Sequence, residues 1–350
     1  MHKEDYINER LKETPEVWED SFRTDLKKGT FEWWYFDGTT KDGISIVTTF
    51  FKALSNIDSE PKPFFSIRLE LPNGKKIEYE ESAPLDQVSF SKDSIDVKIG
   101  KSWAKGDLYT YTIHIESADQ KIKADLKLVN KSRPWRPGTG FWRFGSNKDK
   151  YYAWLVPVPY GELTGILNIE GENHTINGSG YHDHNWGNVE LGDVWNRWWW
   201  ARTQIDDMTL IVVYLVSDEK YGYKKYPLFL LMEKDKIILE DFENTVVLEQ
   251  NKLLNSISKK PVPKTLIFDV KHQHLSAKLS LERIKDISIF DMLEDQPFWK
   301  ATLAKLFNIR PWYYRFGAKA QLLIQKDKMT KQEYSSDLLL EFMDLEKKHP

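Results

Sequence analysis

The chain contains no cysteine, so disulfides, thiolate metal sites and cysteine nucleophiles are excluded while the compartment is left open. It also lacks a charge imbalance: 50 Lys and Arg face 53 Asp and Glu, for a formal net charge of -3. Such a balance offers no overall field for nucleic acid or for an anionic membrane. Long apolar runs are missing too. Leu210 to Val216 and Pro227 to Met232 are too short to span a bilayer, and Met1-His2-Lys3-Glu4-Asp5 has no signal-peptide apolar core. A cytoplasmic protein with at most transient membrane contact is expected. No Gly-x-Gly-x-x-Gly, no phosphate-binding Gly-x-x-x-x-Gly-Lys-Ser/Thr and no Gly-x-Ser-x-Gly occurs, which removes the usual nucleotide and serine-hydrolase readings. Tandem repeats, low-complexity tracts and heptads are absent as well.

What the chain has in excess is tryptophan, 14 residues, within 14% aromatics overall. Part of this suits strands, where aromatic side chains pack well. Residues 1–28 mix charges with Tyr6, Ile7, Leu11, Trp18 and Phe22 and read as a helical lead-in, interrupted at Pro15. From Phe31 the hydrophobic period becomes that of strands. Ile44 to Phe51, Ser66 to Leu71, Lys76 to Glu80, Tyr109 to Glu116 and Lys121 to Val129 fit it, with Asn73-Gly74 as a hairpin turn. Further strands are expected at Met208 to Val216, Pro227 to Glu233, Lys236 to Glu240, Thr245 to Glu249, Thr265 to Val270, Leu275 to Arg283, Ala318 to Gln325 and Ser335 to Phe342. Ile289 to Phe307 carries helical spacing and predicts a short helix outside a barrel. The fold class is all-β. Two barrel or sandwich units, 29–192 and 193–350, are expected because a single sheet of so many strands tends to close or split.

Three clusters concentrate the chemistry. In Gly180-Tyr181-His182-Asp183-His184-Asn185-Trp186-Gly187, strand geometry puts His182, His184 and Trp186 on one face and Asp183 and Asn185 on the other. Two imidazoles on one face suit proton transfer, the start of a metal site without a nameable third ligand, or hydrogen bonding at a domain seam. In Phe31 to Gly38, Trp33, Tyr35 and Asp37 alternate with Glu32, Trp34 and Phe36, so a carboxyl sits among rings on either face. A carboxyl enclosed by apolar surface stays protonated to higher pH, as a general acid requires. Trp195 and Trp198 to Trp200, with Tyr214 in the next strand, either line a cavity or pack a core. Pro311-Trp312-Tyr313-Tyr314-Arg315-Phe316, aromatic and basic, is expected to pack a helix against a barrel.

Glu32-Trp33-Trp34-Tyr35, the Gly180 to Gly187 segment and Pro311 to Phe316 together resemble the carotenoid 1,2-hydratase (hydroxyneurosporene synthase) and AttH-like family over about residues 30 to 345. The resemblance implies two lipocalin-like, calycin-type β units with a ligand cavity at or near their junction. It also implies chemistry without an organic cofactor: hydratases that protonate an isoprenoid double bond, and lipocalin-like Diels-Alderases acting on polyenes. The family's His-x-Trp element falls on His184 and Trp186, and its Tyr-x-Asp element on Tyr214-Leu215-Val216, where valine replaces the acid. Asp183, Asp37 or Asp218 would then have to deliver the proton.

These readings converge on a lyase or isomerase that protonates an isoprenoid or polyene without cofactor or metal. A pericyclase and a non-catalytic binder of hydrophobic ligands are the alternatives. Asp183 or Asp37 is the expected acid, and His182 and His184 orient it or relay the proton. Glu32, Trp34, Asn185, Trp186, Trp199 and Tyr214 are expected to line the substrate site. The expected partner is a hydrophobic small molecule, with no nucleic acid, and the oligomeric state is not legible.

Overall fold

The computed structural model describes residues 4–53, 62–272, 275–292, 311–326 and 330–345. They divide into two compact units, 1–190 and 191–350. No helix among the described residues is long and apolar enough to cross a membrane.

The first unit is one antiparallel sheet. Its strands are β1 (Phe31–Thr40), β2 (Ser45–Ala53), β3 (Phe64–Glu70), β4 (Lys76–Ser82), β5 (Val88–Phe90), β6 (Asp96–Ile99), β7 (Ser102–Gly106), β8 (Thr110–Glu116), β9 (Ile122–Asn130), β10 (Phe141–Phe144), β11 (Lys150–Ile169) and β12 (Glu172–Gly187). The spatial order is β4-β3-β2-β1-β12-β11-β9-β8-β7-β6-β5, with β10 paired to β11. The chain thus returns at its end to lie beside its first strand. The sheet curls about a main core that draws Phe36, Phe50, Phe65, Ile99, Tyr111, Leu126 and Ile176 from many of its strands. The β3–β4 turn is the expected one: Gly74 has φ +82, and the Asn73 side chain accepts from the Lys75 amide at 2.9 Å. In β11, Pro157 and Pro159 cannot donate to the ladder, and its register against β12 shifts between Leu155 and Val158 and again before Gly161.

The segment before β1 belongs to this unit. It forms a short helix α1 (Glu4–Asn8) and a 3-10 turn (Val17–Asp20). Phe22 enters the core, and Arg136 Nη1 grips the Glu19 carboxylate at 3.0 and 3.1 Å while Nη2 bonds the Lys12 carbonyl. Burial raises the Glu19 carboxyl, to about 7, against the pull of that guanidinium.

The second unit opens with α2 (Leu191–Val194) and builds β13 (Trp195–Ile205), β14 (Met208–Ser217), β15 (Lys225–Glu233), β16 (Lys236–Asp241), β17 (Val246–Leu254), β18 (Pro261–Lys271), β19 (Leu275–Asp291), β20 (Trp312–Lys326) and β21 (Thr330–Asp344). Their order is β16-β15-β14-β13-β21-β20-β19-β18-β17, again antiparallel. Trp199, Tyr214, Val216, Phe268, Tyr314, Phe316 and Phe342 fill its core.

The expected strands are present; β8 and β9 match within a residue, and others such as β19, β20 and β21 run longer than periodicity assigned. The helix expected over Ile289 to Phe307 is corrected at its start: Ile289, Phe290 and Asp291 end β19 and pair with Tyr314, Tyr313 and Trp312. Cross-strand packing, with the Phe290 and Tyr313 rings 5.0 Å apart, outweighs the local helical spacing. Residues 293–307 of that expectation lie outside the described residues. Trp312 to Phe316 likewise form strand β20 rather than packing a helix on a barrel.

Candidate functional site

β1 and β12 pair with Glu32 opposite Trp186, Trp34 opposite His184, Phe36 opposite His182 and Tyr35 opposite Asp183. Cross-strand partners share a face, so the register produces two chemically different surfaces. Close pairing depends on glycine. A Cβ on Gly178 would stand 2.1 Å from the Thr39 carbonyl oxygen, and one on Gly180 would stand 2.8 Å from Leu128.

The inner face is a closed ladder of acids and imidazoles. His182 stacks on Phe36 with centroids 4.0 Å apart, and His184 stacks on Trp34 at 4.8 Å. Asp20, from the 3-10 turn, lies between them: Oδ2 is 3.1 Å from His182 Nε2 and 2.7 Å from the donating Tyr111 hydroxyl. His182 Nδ1 lies 2.8 Å from the Tyr35 carbonyl, which can only accept, so that nitrogen carries a proton. On the other side His184 Nε2 meets Glu32 Oε1 at 2.9 Å. Glu32 also accepts from the Arg23 amide at 2.7 Å, the Thr24 amide at 2.8 Å and the Thr24 hydroxyl at 2.6 Å. His184 Nδ1 and Asp20 Oδ1 stand 3.5 Å apart, each without a hydrogen-bond partner. All four side chains are buried, and the ladder clamps the N-terminal segment to the sheet.

The outer face holds a carboxyl in an aromatic setting. Asp183 Oδ2 accepts from Trp154 Nε1 at 3.1 Å and from the Tyr181 hydroxyl at 2.9 Å. Its Oδ1 accepts from the Asn185 amide at 2.8 Å, and the Tyr152 hydroxyl donates to Asn185 Oδ1 at 2.7 Å. Tyr152 thereby fixes which way the Asn185 amide points. Asp37 lies on the same face and accepts from the Tyr35 hydroxyl at 3.1 Å. Burial pushes the Asp183 carboxyl up to about 7; the Trp154 and Tyr181 donors and the His182 charge pull it down, and the Asp37 charge adds to the rise. The Tyr152 phenol is raised well above its ordinary value by burial and by the Asp183 charge. Around this group the Trp135 and Trp154 rings meet edge-on at 5.6 Å, Trp142 lies 5.4 Å from Tyr152, and Phe31 stacks on Trp33 at 5.2 Å.

The expected strand parity is observed, and it separates the expected site residues. Asp183, Asn185 and Asp37 share the outer face, whereas His182, His184, Glu32 and Trp34 support the inner one. Trp186 packs with Phe141, Ala153 and Leu155. Trp199 and Tyr214 lie in the second unit's core, where Trp199 stacks on Phe342 at 4.1 Å and donates to Glu249 Oε1 at 2.8 Å. Val216 is buried there too. Asp218 caps a 3-10 turn, accepting from the Lys220 amide at 3.2 Å. Asp20, Tyr111, Trp154, Tyr152 and Tyr181 were not anticipated. Only Tyr181 left a signal, being two residues before Asp183 on the same strand face. Among the described residues, no group of three or more His, Asp or Glu is arranged to hold a metal ion.

Two curled antiparallel sheets, each wrapped about its own apolar core, define a lipocalin-like β protein. The chain belongs to the AttH-like family, whose profile matches residues 23–299. A hydroxyneurosporene dehydrogenase from Chlorobaculum tepidum is 26% identical over 224 residues, covering 53% of this chain and only 57% of that relative. Three solved structures share the fold. An AttH from Nitrosomonas europaea has a TM-score of 0.61 and 16% identity, over 90% of this chain and 92% of the other. CghA with Sch210972 has a TM-score of 0.64 and 14% identity, over 97% of each chain. Kievitone hydratase from Nectria haematococca has a TM-score of 0.57 and 12% identity, over 95% and 94%. At such identities the likeness is one of fold.

Proposed function

We propose that this protein is a lyase or isomerase that protonates a double bond of a hydrophobic isoprenoid or polyene, with Asp183 as the acid. The observation that carries the reading is a buried carboxyl raised to about 7, hydrogen-bonded to Trp154, Tyr181 and Asn185 and set among aromatic rings. A carboxyl poised near neutrality is matched to giving and retaking a proton at physiological pH. The C–H bond forms with the alkene's π electrons, leaving Asp183 as carboxylate and a carbocation on the neighbouring carbon. Water then adds and returns its proton to Asp183, giving hydration; or the cation loses a neighbouring proton to Asp183, giving isomerisation; or a second double bond of the substrate attacks the cation, closing a C–C bond, and the new cation loses a proton to Asp183, giving cyclisation. Each ring presented face-on to the cation contributes about 0.5 to 2 kcal/mol. Trp33, Tyr35, Tyr152 and Trp154, on or beside the Asp183 face, are the rings assigned this role. His182, through Nδ1 on the Tyr35 carbonyl, positions β1 from behind rather than touching substrate.

Family membership and relatives named as a hydroxyneurosporene dehydrogenase and a kievitone hydratase support a substrate of this kind. No organic cofactor takes part in the proposed chemistry. The test is incubation with a panel of linear isoprenoids and polyenes in deuterated water. Deuterium at the new C–H position, lost in Asp183→Asn, is the expected result; products free of deuterium exclude proton-initiated chemistry. The fold shared with CghA supports a second reading, a pericyclase that shapes a reactive polyene without an acid. Full turnover by Asp183→Asn would select it.

A further inference from the structure

The hairpin joining β17 to β18 breaks the alternation that a sheet imposes. Consecutive strand residues point to opposite faces, so one of any two neighbours is normally covered. Here Leu253 and Leu254 are 50% and 71% exposed, and Ile257 in the turn is 56% exposed. Both faces of the hairpin end are therefore bare. A fourth apolar side chain joins them from β19. The register against β20 passes from Arg283 opposite Ala318 to Lys285 opposite Gly317, which leaves Ile284 as an unpaired bulge residue, 64% exposed.

The tip is rigid. Asn255 is buried; its amide donates to the Lys260 carbonyl at 2.9 Å, and its Oδ1 accepts from the Ile257 and Ser258 amides at 3.0 Å each. Its side-chain amide reaches Asp286 Oδ2 at 3.2 Å and ties the turn to β19 beside Ile284. Lys260 anchors the base through Asp344 at 2.7 Å.

The rim is basic. Lys252, Lys259 and Lys285 are exposed around the apolar residues. Among nearby acids Glu249 is paired with Arg197 at 2.9 Å and Glu282 with Lys264 at 2.7 Å, while Asp286, bonded only to the neutral Asn255 amide, offsets one of the three lysines. A formal net charge of -3 for the chain conceals this local excess of positive charge.

We infer that the β17–β18 hairpin and the Ile284 bulge form a docking surface for an anionic lipid bilayer. Apolar side chains on a stiff projecting turn enter the acyl boundary, while the three lysines meet anionic headgroups. A protein partner would be matched by shape across a broad area; a narrow apolar tip ringed by flexible ammonium groups matches a fluid charged surface. The inference does not depend on the acid chemistry, since binding is read without substrate.

The full chain is sedimented with phosphatidylcholine vesicles with and without phosphatidylglycerol, at low and raised salt. Binding to the anionic vesicles, weakened by salt, is expected. Lys252→Gln, Lys259→Gln and Lys285→Gln together should lower partitioning on the order of 100-fold, and Leu253→Ser, Leu254→Ser and Ile257→Ser together should abolish it. Because the chain has no cysteine, Ile257→Cys carries a polarity-sensitive fluorophore uniquely, with exposed Ile166→Cys on β11 as the control. A blue shift on vesicle addition at position 257 and none at 166 supports the surface and needs no destabilising variant. Absence of vesicle binding, equal shifts at both positions, or self-association without vesicle binding overturns it.

Discussion

Asp183 and His184 are consecutive residues whose side chains enter different environments on opposite faces of β12. The carboxyl of Asp183 joins Trp154, Tyr181 and Asn185 on the outer face, whereas the imidazole of His184 lies in the core between Glu32 and Asp20. The proposed acid and the histidines beside it in sequence therefore do different work. That separation makes their contributions experimentally distinct.

Asp183→Asn keeps the shape and loses the proton. Turnover should fall by about 10²- to 10⁴-fold, the usual contribution of a positioned acid. Stability should respond in the opposite sense. The native carboxyl titrates at about 7 and an unfolded one near 4, so the native state holds the proton more tightly and stability declines as pH rises between those values. Asparagine does not titrate. Relative to wild type, the variant's Tm should therefore rise from pH 4 to pH 8, by thermal melts at each pH; a flat difference would contradict the raised carboxyl.

Trp154→Phe and Tyr181→Phe each remove a donor that favours the ionised form of Asp183. The carboxyl should then rise further, and the alkaline limb of the pH–kcat/KM profile should move to higher pH. Each variant also leaves the acid in place, so activity at low pH should survive. A limb that stays put in both variants would separate it from Asp183.

Asp20→Ala should destabilise the first unit by about 3 to 5 kcal/mol, since it strips buried partners of their carboxylate and loosens the N-terminal clamp. Urea unfolding gives the measure. In the surviving folded fraction turnover should persist, because Asp183 keeps its Trp154, Tyr181 and Asn185 donors on the outer face.

Gly178→Ala should cost about 1 to 3 kcal/mol by overpacking. The added methyl would stand 2.1 Å from the Thr39 carbonyl oxygen, a backbone atom that cannot step aside without opening the β1–β12 ladder. Turnover and thermal stability should fall together, whereas Gly192→Ser, with open space about its Cα and no left-handed backbone to strain, should leave turnover unchanged.

Much of the fold was legible because strand periodicity is local. The alternation in β8 and β9, and Asn73-Gly74 between β3 and β4, stand in the chain as they stand in the structure. The parity of His182, Asp183, His184 and Asn185 followed from the same period of two. Where a neighbouring strand decides the outcome, local spacing misled: Ile289 to Asp291 follow a helical pattern yet pair with Trp312 to Tyr314. Trp199 and Tyr214 were legible as aromatic, but the choice between cavity lining and core was not, since an indole that lines a cavity and one that fills a core have the same composition.

The amino-acid sequence by itself determined the all-β class, the alternation of β1 and β12 and the presence of a carboxyl among rings, because these depend on residue type and on a two-residue period. Only the tertiary structure decided which carboxyls sit where. Asp20 reaches His182 across 162 positions, and Trp154 reaches Asp183 across 29, through strand register and a folded-back N-terminal turn. No local pattern encodes such pairings; they follow from burying polar groups that must then find partners within the same core.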